Sequence, residues 1–254
     1  MALATLLADR NAAQRLTTEV PARPDVRVAR TREELEGAFK VLYRTYLHAE
    51  LVEPNEHGMR VTPYHLLPTT TTFINEVGRE IVATVSLCED SSIGLPIESL
   101  FPDKIRELRQ GGGRIAEVCS LADRRRDPER GLDAMISLTK MAIQLAMHRK
   151  VDYLLCVAHP RHGRFYKRAT GMVAIGDVKA CPYVCNRPAE PLLLDMNQLA
   201  ENPPRLYSKY FDEKVPVEQF EVDPISIDEA FYFSRYLDDP SFRPEIIRSA
   251  LQTA

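Results

Sequence analysis

The sequence predicts a mixed α/β fold: a β-sheet with parallel and antiparallel strands, flanked by helices and followed by a helical C-terminal extension. Three observations carry this. β-branched runs at 69–77 and 80–88 meet at Gly78 and read as an antiparallel hairpin. A helical apolar stripe including Leu132, Ile136, Ile143 and Met147 leads straight into the apolar run 151–158, as when a helix crosses back to a buried strand. The chain has 254 residues, 44% hydrophobic and 27% charged, enough to bury a core without metal or disulfides.

The elements follow in order. Pro21 and Pro24 bracket a linker, so residues 1–25 form an N-terminal arm, and the alternation of Val26-Arg27-Val28-Ala29 makes a first strand. Thr31 with Glu34 three residues later is a capping box, which predicts a helix over about 32–50. Pro54, Gly58, Pro63 and Pro68 break regular structure, leaving a long loop over 52–68 before the hairpin. Leu100, Ile105 and Leu108 give helical spacing over 97–109, stopped by Gly111 to Gly113, and a strand follows over 114–122. Asp127-Pro128-Glu129 supplies a cap, a first-turn proline and an acid for the long helix to Lys150. After strand 151–158 come a short helix around 164–169 and strands near 172–178 and 191–196. Beyond Asn197 the prolines at 203, 204, 216, 224 and 244 separate helical segments, including 227–236. Residues 26–196 thus form the main domain and 197–254 a helical extension.

Composition excludes several functions. Thirty-three Lys plus Arg against 36 Asp plus Glu leave a net charge of −3, so no broad cationic field exists for nucleic acid. Of five cysteines, Cys88, Cys119 and Cys156 lie in apolar runs, which suits a reduced, cytoplasmic protein. Cys181 and Cys185 lack the second pair that a zinc site requires, so no metal is expected. No run approaches the roughly 20 apolar residues of a transmembrane helix, and residues 1–7 lack the charge and length of a secretory leader. A lipid product would bring transient contact with a membrane surface, although no basic amphipathic helix stands out.

The strand, long helix, strand, short helix unit after an antiparallel half has the element order of the Gcn5-related N-acetyltransferase superfold. Within it, Arg60-Val61-Thr62-Pro63-Tyr64-His65-Leu66-Leu67-Pro68 and the threonines after it, Gly94-Leu95-Pro96, Ala116-Glu117-Val118-Cys119-Ser120-Leu121-Ala122, and Pro160-Arg161-His162 with Phe165-Tyr166 resemble the long-chain N-acyl amino acid synthases. That family is related to the acyl-homoserine lactone synthases. The resemblance covers about 26–196 and implies transfer of a fatty acyl group from acyl carrier protein to the α-amine of an amino acid. No bound cofactor is implied, and the phosphopantetheine-linked acyl thioester is a co-substrate.

An amine with a pKa near 8 is mostly ammonium at neutral pH and needs a base before it attacks a thioester. Glu117, an acid inside a small apolar strand, is the candidate. The alternatives are a carboxylate paired with an arginine or the solvent-facing position of an alternating strand. The superfold implies an oxyanion donor among the backbone amides of 118–121, with Ser120 at the substrate. It also implies Tyr166 as the acid for the leaving thiolate, one residue further from Gly171-Met172 than the commonest spacing. An aromatic packed on the sheet is the other reading.

Arg60, Tyr64 and His65 could grip the amino acid carboxylate or pin the long loop. Arg161 and His162, after His159-Pro160 at a strand end, either hold donor or acceptor groups or form a capped helix start. The run Arg124-Arg125-Arg126 has one glycine nearby, Gly131, a poor pyrophosphate cradle that suits an acidic carrier protein better than coenzyme A. Its alternative is a solvated basic loop. Two other functions compete: a homoserine-lactone synthase using S-adenosylmethionine, and a catalytically silent acyl or carrier-protein binding module. The acyltransferase reading expects an apolar channel leading to Glu117.

Overall fold

The capping box forms as its residues dictate: the Glu34 amide donates to Thr31 Oγ1 (3.3 Å) and the Thr31 amide to Glu34 Oε2 (3.2 Å), starting α1 (Arg32–His48). The structure is a computed structural model describing residues 25–125, 128–199 and 206–237. β1 (Val26–Val28) precedes α1 and pairs antiparallel with β2 (Thr70–Val77). Gly78 and Arg79, both at positive φ (57° and 69°), make the two-residue turn from β2 into β3 (Glu80–Glu89).

Two expected elements differ in detail. The helix expected over 97–109 starts at Pro102: α2 spans Pro102–Gln110, and Pro96–Ser99 forms a separate 3-10 turn. Proline favours the first helical position and pushes the residue before it out of the helical region, and Phe101 has φ −131° and ψ 53°. After β4 (Ile115–Asp123), α3 (Pro128–His148), β5 (Tyr153–Ala158) and α4 (Pro160–Thr170), the strand expected near 172–178 is reduced to β6 (Val173–Ala174), and β7 (Lys179–Cys181) is an addition. Both pair with β8 (Arg187–Asp195), on either side of Glu190-Pro191. Pro191 has no amide hydrogen for a ladder, and the partner strand breaks there.

The sheet order is β1-β2-β3-β4-β5-β8-β6, with β7 beside β8. Every pairing is antiparallel except β4 with β5, which run parallel and touch only at Ile115 to Glu117 against Tyr153 to Leu155. One face of the sheet packs Phe73, Val85, Leu87, Ala116 and Leu154 against Leu138, Met141 and Leu145 of α3. On the other, Cys88, Ile115 and Leu155 meet Leu95, Ile97, Phe101 and Ile105 from α2 and the segment before it. Each such buried Leu or Ile contributes about 1.5–3 kcal/mol.

In the extension, Tyr210 and Phe211 join the α3 core, while α5 (Ile227–Ser234) sets Phe233 edge-on to Phe39 of α1 at 5.1 Å between centroids. The N-terminal arm through residue 24, the Asp127 cap and the extension beyond 237 lie outside the described residues. Among the described residues no helix is long and apolar enough to cross a membrane.

Candidate active site

Strand alternation decides where Glu117 points. Ala116 and Val118 face α3, so Ile115, Glu117 and Cys119 face the α2 side. Glu117 is 2% exposed, opposite Cys88 in the β3 ladder, and its Oε2 accepts a 2.7 Å hydrogen bond from the Ile97 amide. Among the described residues that is its hydrogen-bond partner; no arginine pairs with it, and it does not face solvent. Burial first, and the Cys119 thiol second, hold its carboxyl well above the usual carboxylate range, with the Ile97 amide pulling the other way. Burial likewise pushes up the Tyr64 phenol, with Glu117 the next cause.

Two residues beyond Glu117 the strand is irregular. Ser86 pairs with Cys119 and Thr84 with Ala122, so Ser120 and Leu121 together oppose Val85, a β-bulge with Ser120 in the left-handed region at φ 56°. The parallel ladder with β5 has already ended at Glu117, so β4 and β5 part there. A bulge turns backbone amides out of the ladder, as an oxyanion donor requires.

His65 is 3% exposed and ties this bulge down. The Thr62 amide donates to its Nδ1 (3.0 Å), so the neutral ring carries its proton on Nε2 and donates to Ser120 Oγ (3.0 Å). Ser120 in turn donates to Cys119 Sγ at 3.7 Å, and Phe39 stacks on the imidazole at 4.9 Å. Burial, then the charge of Arg60, lowers the His65 pKa to about 3, so the ring is neutral. Its ring nitrogens are both bonded to the protein, the geometry of the loop-pinning alternative.

Cys119 lies 3.4 Å from Cys88, sulfur to sulfur; that contact and burial push its thiol well up, away from the thiolate a nucleophile needs. Arg60 donates to the Tyr183 carbonyl (2.9 Å) and lies over the Tyr46 ring at 5.5 Å, so it binds the long loop to the turn between β7 and β8. Tyr64 is half-buried and donates to the Leu95 carbonyl at 3.4 Å.

At the start of α4 the capped-helix geometry is present: His159 Nδ1 accepts from the Arg161 amide (3.2 Å), while Arg161 and His162 are exposed. Tyr166 packs against Phe165, and its hydroxyl contacts Met135 Sδ at 3.9 Å; burial raises its phenol pKa, keeping the hydroxyl protonated. Arg124 pairs with Glu80 and Arg125 with Asp123 (2.7 Å), so these two guanidinium groups are matched by acids of the chain; Arg126 lies outside the described residues. No group of three or more metal-ligating side chains occurs among the described residues.

Two surface cavities, of about 450 and 400 Å³, lie elsewhere: one is lined by Arg30, Glu221, Val222 and Asp223, the other by Arg161, Arg164, Phe165, Arg168, Ala169 and Leu206. Neither is the expected channel to Glu117, which is closed from solvent in this conformation. Sequence reasoning missed the Ile97 amide, whose partner no side-chain pattern reveals, and Cys88, which the hairpin register could have placed opposite Glu117.

The arrangement matches known proteins. A family model described as N-acyl amino acid synthase FeeM matches residues 37–195. The structure of FeeM, an N-acyl amino acid synthase from uncultured soil microbes, is similar with a TM-score of 0.62 and 24% identity, over 72% of this chain and 96% of that one. TofI, solved in a ternary complex with an inhibitor and MTA, has a TM-score of 0.52 and 14% identity over 72% and 98% of the chains. The AHL synthase LasI has a TM-score of 0.50 and 15% identity over 75% and 98%. No curated protein sequence matches. At these identities the solved structures speak for the fold, the mixed, Gcn5-related N-acetyltransferase-like sheet expected from the sequence. With most of the chain matched by the family model and the open sheet in place, the chain belongs to the N-acyl amino acid synthase FeeM family and is an N-acyltransferase.

Proposed function

We propose that this chain transfers a long-chain fatty acyl group from an acyl carrier protein thioester to the α-amine of an amino acid, by direct attack and without a covalent enzyme intermediate. Residues 26–196 carry the reaction, with 1–25 as an arm and 197–254 as an extension. The observation that carries the reading is a buried carboxyl, Glu117, in an apolar layer where β4 and β5 part, its pKa raised toward the range of a general base. Glu117 takes a proton from the ammonium, the nitrogen forms its bond to the thioester carbon, and amides at the Ser120 bulge donate to the oxyanion. Collapse then breaks the C–S bond, the nitrogen's second proton leaves to water, and the phosphopantetheine thiolate takes a proton from Tyr166, which water reprotonates, or from water directly. Substrate enters by displacing the Tyr64 and Leu95 contacts that close over the carboxyl, and the acyl chain lies among Leu95, Phe101, Leu155 and their neighbours.

Direct attack is supported by the protonated Cys119 and by His65, too weak a base to activate it. A carrier-protein donor is supported by the exposed Arg161, Arg164 and Arg168 around the cavity on α4, which suit an acidic surface better than the self-paired Arg124 and Arg125. Tyr64 and Arg60 line the amino acid side, and His162 the donor side. Mixing the protein with long-chain acyl carrier protein and a pool of amino acids should give an amide by mass spectrometry, lost in Glu117→Gln and retained in Cys119→Ala. Binding without amide would mean a silent module, and a lactone made only with S-adenosylmethionine would mean a homoserine-lactone synthase.

A further inference from the structure

We infer that Arg109, at the end of α2, is a positioning residue that sets the state of Glu117 through the loop between them; this rests on the reading of Glu117 as the base. Arg109 grips two acids at once. Its Nε and Nη2 donate to Asp90 (2.7 and 2.8 Å), and its Nη1 and Nη2 to Glu98 (both 2.6 Å). Asp90 closes the end of β3, and Glu98 sits in the 3-10 turn beside Ile97, accepting also from the Leu95 amide at 3.4 Å. The guanidinium therefore ties both ends of the segment whose Ile97 amide donates to Glu117 at 2.7 Å.

Gly94 completes the clamp. At φ 76° it occupies a conformation that other residues rarely adopt, and a Cβ there would lie 2.3 Å from Glu98 Oε2 and 3.5 Å from Arg109 Nη2. Three charged groups, two bidentate contacts and one glycine at positive φ thus fix a single backbone N–H. None of the three charged residues belongs to the reacting site itself, and α2 is also held to the sheet by the burial of Ile105, with Phe101 just before it.

The groups facing Glu117 offer no substitute. They are Tyr64 before β2, Cys88 on β3 and Cys119 on its own strand; Cys156, on the opposite face of β5, and Cys181 on β7 feel its charge, and the phenol and the thiols of Cys119, Cys156 and Cys181 are all pushed up, hence uncharged at neutral pH. The charge of Arg60 is felt at Cys119. Without the Ile97 amide, burial acts on Glu117 unopposed, so loosening the clamp raises the carboxyl further and leaves less base at neutral pH.

The test is a titration of Glu117 by NMR of protein labelled with 13C-glutamate, the resonance assigned by its loss in Glu117→Gln, alongside pH profiles of kcat/KM. Arg109→Met and Gly94→Ala should each move the Glu117 midpoint upward by about one pH unit, roughly tenfold in proton affinity. The acid limb of kcat/KM should move with it while KM for the amino acid holds. Arg109→Lys, a point charge that cannot fork between both acids, should restore part of the shift. Gly94→Ala removes no charge, so it decides the matter if Arg109→Met fails to fold. An unmoved midpoint in folded variants overturns the clamp whatever the activity. A moved midpoint in a protein that makes no amide, or whose Glu117→Gln variant keeps full turnover, upholds the clamp and overturns Glu117 as base.

Discussion

Replacing His65 with glutamine separates its two roles, ligand and strut, through pH. The folded ring titrates at about 3 against 6.5 in an unconstrained chain, because burial and then Arg60 disfavour the imidazolium. Between those values the unfolded chain binds a proton that the folded chain does not. Stability from this group is therefore full above pH 6.5 and drains away as pH falls toward 3, at about 1.36 kcal/mol per unit. That amounts to about 5 kcal/mol over the whole window and about 3 kcal/mol between pH 6.5 and about pH 4.5. Glutamine has no such titration. Urea unfolding of both proteins across this range should show the wild type ahead by about 1–3 kcal/mol at pH 7, from the Thr62 and Ser120 hydrogen bonds at 3.0 Å, and losing that lead steadily with acid. A difference constant with pH would refute a neutral buried strut. Unchanged stability with a raised KM for the amino acid would return His65 to the substrate.

Glu117→Gln should lower kcat by about 10²–10⁴-fold. Because the folded carboxyl is held high, the wild type loses stability as pH rises above the ordinary carboxylate range, so this variant should melt higher than wild type at pH 8 by calorimetry. Cys119→Ala should keep turnover within a few fold, and trapping with iodoacetamide should be slow in the wild type. Reversing Arg161, Arg164 and Arg168 to Glu should cut kcat/KM for acyl carrier protein about tenfold or more while sparing a carrier-free acyl thioester; equal losses with both would count against docking on α4. Tyr166→Phe should slow turnover measured with a poor thiol leaving group more than with a good one, and equal slowing would leave the residue a packing aromatic.

Regular elements announce themselves because their causes are local. Thr31 and Glu34 carry their capping box in four residues, and Gly78 carries the hairpin turn. α2 starts five residues later than its apolar spacing predicts, because Pro102 sets the first turn and proline is the stronger signal. The site was legible as a set of residues and opaque as geometry. Glu117 could be picked out as an acid among small apolar neighbours, but the single extra residue at Ser120 leaves no mark on a period-two pattern. For His65 the sequence leaves ligand and loop pin both open because burial is a tertiary property: it is made by Phe39 from one helix and by Ser120, 55 residues away. Arg124 and Arg125 read as a cationic run because their acids, Glu80 above all, come from elsewhere in the chain.

The three-residue seam between β4 and β5 divides the sheet into an antiparallel leaf on each side, like a book bound along part of its spine. Few backbone hydrogen bonds join the two leaves along this seam, whereas each leaf is held by long antiparallel ladders. Backbone amides along the seam should therefore exchange with deuterium sooner than those inside either leaf.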